Sequence, residues 1–332
     1  MPERDTTPTR IADEPKRVFV TGASGCVGHY LAECLIQETD YDLFFLVRNP
    51  AKLRVDCNAR PGITVLEGDL HQIEQFGSFL KTIDYVIHTA TAWGGAQEVF
   101  DINVVKTLRL FELLDPQRCE KIIYFSTASL LDRNNKLLPA AGQIGNDYMR
   151  TKYTCLSRLS SLPIASRITT VFPTMLFGGE GNKPYSHISA GIPEVLRWIG
   201  LIRFLKMDAS FHFVHAQDVA RIVTHLLSLP QTEHEQWLTL GSDRTSLNGC
   251  IEEICAYLGK RVYLRVDLTP ALINLIIVLF RIQVGPWERF CLDYRHFTYK
   301  VVSPASFGLP TYCGSITDLL KIHRIPPARR LH

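Results

Sequence analysis

Tyr148 and Lys152 stand four residues apart in the stretch DYMRTK of this 332-residue chain, which puts both on one face of a helix, within reach of one ligand. A tyrosine so placed can give or take a proton. Its ordinary pKa of about 10 lies about 3 units above a neutral working pH, a gap of roughly 4 kcal/mol. A lysine ammonium about 4 Å away, at an effective dielectric of about 20, supplies a Coulomb contribution of that order, so Lys152 is expected to lower the phenol's pKa. Upstream, YFSTASLLD offers three hydroxyls, Ser126, Thr127 and Ser129, any of which could hold a substrate oxygen.

A second constellation suggests what reacts there. In VFVTGASGCVGHYL, Gly22, Gly25 and Gly28 are spaced three apart between an apolar run and a helical pattern. A helix N-terminus carries unpaired N–H groups and a partial positive charge, and glycines let a pyrophosphate come close to them. Gly22, Ser24, Gly25, Cys26, Val27 and Gly28 are therefore candidate phosphate-cradle residues; the alternative is a tight strand-to-helix connection with no ligand.

Those residues need elements to position them. Short β-branched or aromatic runs predict strands over 17–21, 43–47, 63–66, 85–88, 121–126, 164–172 and 237–240. Helical spacing predicts helices over 27–37, 98–114, 148–159, 192–199 and 247–258, followed by a strand-like KRVYLRV. Strand alternating with helix implies an α/β fold, a doubly wound parallel sheet of the Rossmann kind with a smaller C-terminal substrate domain. The expected division is a flexible tail over 1–16, a dinucleotide-binding unit over 17–177 and 209–243, and a substrate-binding unit over 178–208 and 244–332.

The TGxxGxxG spacing, YxxxK and the hydroxyl-rich strand end together resemble the extended short-chain dehydrogenase/reductase family, also called the NAD-dependent epimerase/dehydratase family, from Val18 to about Gly259. The resemblance implies hydride transfer between a nicotinamide and a substrate carbon. Tyr148 would move the alcohol proton, Lys152 would lower its pKa and hold the ribose, and Thr127 would fix the oxygen. By the same resemblance Asp69, with Leu70 beside it, meets the adenine; His88 and Ala90 of HTATA line the cofactor; and Pro173 of VFPTMLFGG lies beside the nicotinamide. Asn103 would fix backbone near the site, and Asp218 is expected to be structural. Arg48 ends the second strand, where an acidic residue would bind the ribose hydroxyl of NAD; its forked donors suit a 2′-phosphate, which favours NADP, with NAD the second choice.

Departures narrow the reaction. Ala128 and Ser129 replace the acidic pair of the family's dehydratases, so elimination is not expected. Phe172 and Leu131 replace an asparagine and a tyrosine of the sugar epimerases, which removes two supports for a nucleotide sugar. The leading expectation is an oxidoreductase acting on the carbonyl or alcohol carbon of a small apolar substrate. The alternatives are a nucleotide-sugar epimerase, its diphosphate held by Lys183, Arg197 or Arg203, and a non-catalytic cofactor-binding subunit.

Composition sets the remaining bounds. A formal charge of +3 gives no case for nucleic acid or an anionic membrane surface. Nine scattered cysteines without a CxxC pair suit a reducing cytoplasm, and the polar N-terminus has no signal-peptide pattern. His212 and His215 lack acidic or cysteine neighbours, so no metal is expected. The apolar run 271–280 is too short to cross a bilayer that needs about 20 residues. Together with Trp287 and Phe290, it is expected to be small-domain core, or else a pocket wall or a surface meeting lipid or protein. A homodimer is left open.

Overall fold

The computed structural model describes residues 14–230 and 236–328, so most of the tail expected over 1–16 lies outside the described residues. Seven strands form one parallel sheet: β1 (Arg17–Thr21), β2 (Asp42–Val47), β3 (Ile63–Glu67), β4 (Tyr85–His88), β5 (Lys121–Phe125), β6 (Ile168–Pro173) and β7 (Gln236–Leu240). Their order is β7-β6-β5-β4-β1-β2-β3. The chain starts at β1, winds outward to β3, then returns to place β4 on the other side of β1. A crevice opens outside the strand ends at that reversal, where open α/β sheets bind ligands.

The two-residue period of β1 sorts its side chains. Val18 and Val20 enter one apolar layer, with Tyr30 and Leu31 of the helix Cys26–Glu38 and Val219 and Val223 of the helix Ala216–Ser228. Phe19 enters the opposite layer, with Leu46, Val86, Ile122 and Leu156. A third, smaller cluster joins Phe177, Ile199 and Phe213 to Ile254, Cys255 and Leu319 of the C-terminal part. Asp218 ties that part to the sheet region: its buried carboxylate accepts the backbone N–H of Tyr312 at 2.6 Å and of Cys313 at 3.0 Å.

Four predicted elements differ. The helix expected over 98–114 is three pieces, Ala96–Phe100, a π-helical turn Asp101–Lys106 and Thr107–Glu112; the Thr107 hydroxyl donates to the Ile102 carbonyl five residues back, at 2.9 Å. The strand expected from 164 starts at Ile168, after a 3-10 turn over Ala165–Arg167. KRVYLRV finds no neighbour strand except where Val266–Asp267 runs parallel to Leu205–Lys206. The run 271–280 is a helix, Pro270–Leu279, with Thr269 as its cap and no buried residue, so it is not small-domain core.

Asp218→Ala leaves two backbone donors without their acceptor, an expected cost of roughly 1–3 kcal/mol. Urea unfolding should show that loss, and limited proteolysis should cut near residues 309–315 faster than in the parent. An unchanged midpoint and cleavage rate would show that the anchor is dispensable.

Candidate functional site

At the sheet reversal the glycine turn leaves β1 and presses against the backbone leaving β4. Gly22 has φ of +76°, and a Cβ there would lie 2.5 Å from Thr89 Oγ1 and 2.6 Å from Ala90 N. A Cβ on Gly28 would lie 2.1 Å from the Gly22 carbonyl oxygen, so the helix is seated directly on the turn. That helix, Cys26–Glu38, has no side-chain cap and no acidic residue in its first turn. Its first N–H groups and its dipole therefore face the crevice without a competing anion, a donor set that fits a pyrophosphate. Ser24, Cys26 and Val27 are half-buried at the rim, and burial pushes the Cys26 thiol up to about 12, so it stays protonated.

Around the cradle the predicted contacts divide. Arg48 is exposed at the end of β2. Asp69 caps the turn after β3, accepting the His71 backbone N–H at 2.9 Å and the ring Nδ1 at 2.8 Å. Burial works against its charge, but the His71 hydrogen bonds, then the His71 and Arg48 charges, hold the carboxyl below its ordinary value. One Asp69 oxygen is thus already engaged. The Leu70 side chain belongs to the apolar layer beneath, which leaves its backbone to face the crevice if it meets the cofactor. Pro173 is buried at the end of β6, and Ala90 is half-buried at the crevice.

His88 is engaged within the sheet. Its ring is fully buried, with Nδ1 2.8 Å from Thr21 Oγ1 and Nε2 2.9 Å from Thr107 Oγ1. Because the Thr107 hydroxyl donates to Ile102, it accepts from His88 Nε2–H; Nδ1 is then bare and accepts from Thr21. Burial first, then the Lys152 charge, brings the ring down to about 3. His88 is a neutral tie between β1, β4 and the π-turn.

Asn103 connects the crevice to the reactive helix. Its Oδ1 accepts from Thr91 Oγ1 and Ala92 N–H, both at 2.9 Å, while Nδ2 donates to Thr151 Oγ1 at 3.2 Å. Thr151 lies between Tyr148 and Lys152 on the helix Asp147–Leu159, which Asn146 caps by accepting the Met149 N–H at 3.0 Å. Lys152 is buried and donates to the Phe125 carbonyl at 2.8 Å, with Nζ 4.8 Å from the centre of the Tyr124 ring. That bond pins the helix to the last residue of β5, next to Ser126 and Thr127. Thr127 is half-buried, its Oγ1 3.3 Å from both the Ser129 N–H and Oγ, while the buried Ser126 Oγ has no hydrogen-bond partner.

The electrostatics differ from the expectation. Burial brings Lys152 down to about 8, and burial pushes the Tyr148 phenol up rather than down. The ammonium is directed at Phe125, and the phenolate would have to form under an aromatic cover. That cover is Trp93, stacked on Tyr148 with ring centres 4.0 Å apart and planes within 18°, and 4.9 Å from His187. Neither Trp93 nor His187 was among the expected site residues. The signal for Trp93 was its position directly after HTATA; nothing local marks His187, which arrives from a different segment.

His212 is held by the Ser242 carbonyl at 2.7 Å and the Tyr299 N–H at 3.2 Å, and His215 caps a helix through the Gln217 N–H at 3.1 Å. Among the described residues no group of three or more His, Cys, Asp or Glu could hold a metal.

The model of the NAD dependent epimerase/dehydratase family matches residues 18–241. An isoflavone reductase homolog, A622-like, of Nicotiana tabacum is 29% identical over 105 residues, 30% of this chain and 33% of the relative. A 2-alkyl-3-oxoalkanoate reductase of Shewanella oneidensis is 27% identical over 151 residues, 43% of this chain and 38% of the relative. The chain thus aligns with little more than a third of the length of these curated relatives. The Bordetella bronchiseptica enzyme WbmG, solved in complex with NAD, superposes with a TM-score of 0.64 at 14% identity, covering 94% of this chain and 95% of that one, a likeness of fold.

The buried His88 has a measurable signature. Unfolded, a histidine binds a proton below about pH 6.5, whereas folded His88 does so only near 3, so its contribution to stability is present above about 6.5 and is lost as pH falls toward 3. His88→Gln should reduce the acid slope of the unfolding free energy by up to about 1.4 kcal/mol per pH unit between about pH 6 and 4. An unchanged slope in urea titrations would mean that the ring is charged in the folded protein.

Proposed function

The chain belongs to the NAD dependent epimerase/dehydratase family, and we propose that within it the protein is an NADP-dependent oxidoreductase, working as a reductase on the carbonyl carbon of a small apolar substrate. The observation that carries this reading is the Tyr148 phenol, kept protonated by burial under Trp93 and set on the same helix as the buried Lys152. A protonated phenol is a proton donor, which suits reduction. NADPH, when bound in the glycine cradle, supplies the hydride. Tyr148 gives its proton to the oxygen that becomes the alcohol, and Thr127, turned from Ser129, donates a hydrogen bond to the same oxygen. Lys152, charged below about pH 8, donates to the Phe125 carbonyl and so fixes the helix that carries the phenol.

Arg48 supports NADP over NAD: it is exposed at the end of β2, and its charge reaches Asp69 after β3. The three cations considered for a sugar diphosphate are occupied elsewhere. Lys183 pairs with Glu33 at 2.9 Å, Arg203 donates to the Gly200 and Arg261 carbonyls, and Arg197 pairs with Glu194 on an exposed helix face. An apolar substrate agrees with the aromatic cover, with Trp287 packed into the same apolar layer as Tyr148, and with the keto acid named for the Shewanella relative. A cytoplasmic setting agrees with nine unpaired cysteines.

The test is consumption of NADPH with 2-alkyl-3-oxo acids and cyclic ketones as probes. Tyr148→Phe should lower kcat roughly 100-fold or more while NADPH still binds. Return of the cofactor unchanged alongside an inverted product would identify an epimerase, and NADPH binding with no turnover of any probe would favour the non-catalytic subunit. Arg48→Ala should weaken NADPH about tenfold or more and leave NADH unchanged; equal losses for both would remove the NADP assignment.

A further inference from the structure

The helix Pro270–Leu279 is apolar on nearly every side and buries none of its residues. Leu275, Val278 and Leu279 are 60%, 75% and 68% exposed, and Phe280 follows at 69%. The helix Ile192–Ile202 presents a second apolar face: Ile199 points into the third core cluster, whereas Val195, Trp198 and Leu201, three residues apart, point outward. The two helices flank one short junction. Val266–Asp267 pairs with Leu205–Lys206, and the Arg203 side chain donates to the Arg261 carbonyl at 3.0 Å, with Leu264 of that junction 93% exposed.

Charge gathers on the same segments. Residues 192–206 and 260–295 hold nine Lys or Arg against four Asp or Glu, although the whole chain carries only +3. These two segments are therefore net basic and the rest of the chain slightly acidic, although Arg265 pairs with Glu252 outside them. We propose that this face docks on an anionic phospholipid bilayer, with the helix Pro270–Leu279 lying in the plane of the interface and Trp198 at the headgroup level. An interfacial helix needs an apolar side and neighbouring cations, and both are present; ten residues are too few to span. A second copy is a poorer occupant. A two-fold dimer would bring the same excess of cations against itself across the apolar contact.

The experiment is flotation of the full chain with vesicles of phosphatidylcholine alone and of phosphatidylcholine with phosphatidylserine. Binding is expected to the second, and to weaken as salt is added. The combined variant Leu275→Ser, Val278→Ser, Leu279→Ser and Phe280→Ser should lose binding by about 100-fold or more with an unchanged melting midpoint. Should that variant fail to fold, Arg261→Gln with Arg281→Gln carries the test, each arginine accounting for about fivefold. No flotation with phosphatidylserine vesicles, or undiminished flotation of the variants, overturns the proposal. So does a dimer in light scattering that the apolar variant dissolves, which would assign the face to a second copy.

Discussion

The closest constraint in this protein is the contact of two backbones at the sheet reversal. The turn after β1 passes so near the chain leaving β4 that one methyl group on Gly22 would overlap Thr89 and Ala90. Everything that could act on a dinucleotide is measured from that point. The helix on the turn must start there with its N–H groups open, because Gly28 lets it sit against the Gly22 carbonyl. β4 must leave its stretch HTATA beside the same crevice. A side chain at Gly22 would move both strand ends, and with them the space between cradle and reactive helix.

Two polar relays keep that geometry in register through the otherwise apolar sheet. The Thr21–His88–Thr107 chain joins β1 and β4 to the π-turn, with a ring that stays neutral because burial makes its charged form costly. Asn103, from the same turn, then holds the loop after β4 and reaches Thr151. The widened helical turn brings both residues to bear, which accounts physically for an irregularity in an otherwise regular helix. Lys152 completes the frame by bonding the end of β5. Tyr148 is therefore set by the bonds of its helix to Asn103 and to the end of β5, and its environment follows from what covers it, Trp93.

This cover also explains the direction of the phenol's shift. A lysine one helical turn away favours the phenolate only if its charge faces the oxygen, whereas here it faces a carbonyl and desolvation dominates. Elsewhere the molecule separates its surfaces. Cations that could have formed a diphosphate clamp are spent on local carbonyls and carboxylates. The C-terminal region leaves an apolar helix with cations around it outside the core.

Much of the frame is legible in the sequence, because strand alternation, glycine spacing and the four-residue YxxxK step are local patterns with fixed geometric meaning. Val18, Phe19 and Val20 alternate and therefore face opposite layers; β4 falls at 85–88 as expected; and the glycine turn opens a helix as its spacing requires. What a local pattern cannot carry is the partner. His88 and Leu70 sit in motif positions near a crevice, yet their side chains turn inward because threonines and apolar neighbours from distant segments meet them there. Asp69 is half occupied by its own turn. The run 271–280 has the composition of a core helix and becomes largely surface because its neighbours cover one side only, leaving Leu272, Ile273, Ile276 and Ile277 half-buried and none of its residues buried. The residue types and their periods thus determined the sheet, the cradle and the reactive pair. Tertiary packing alone decided which side chains meet water, which are desolvated, and hence the charge state of each.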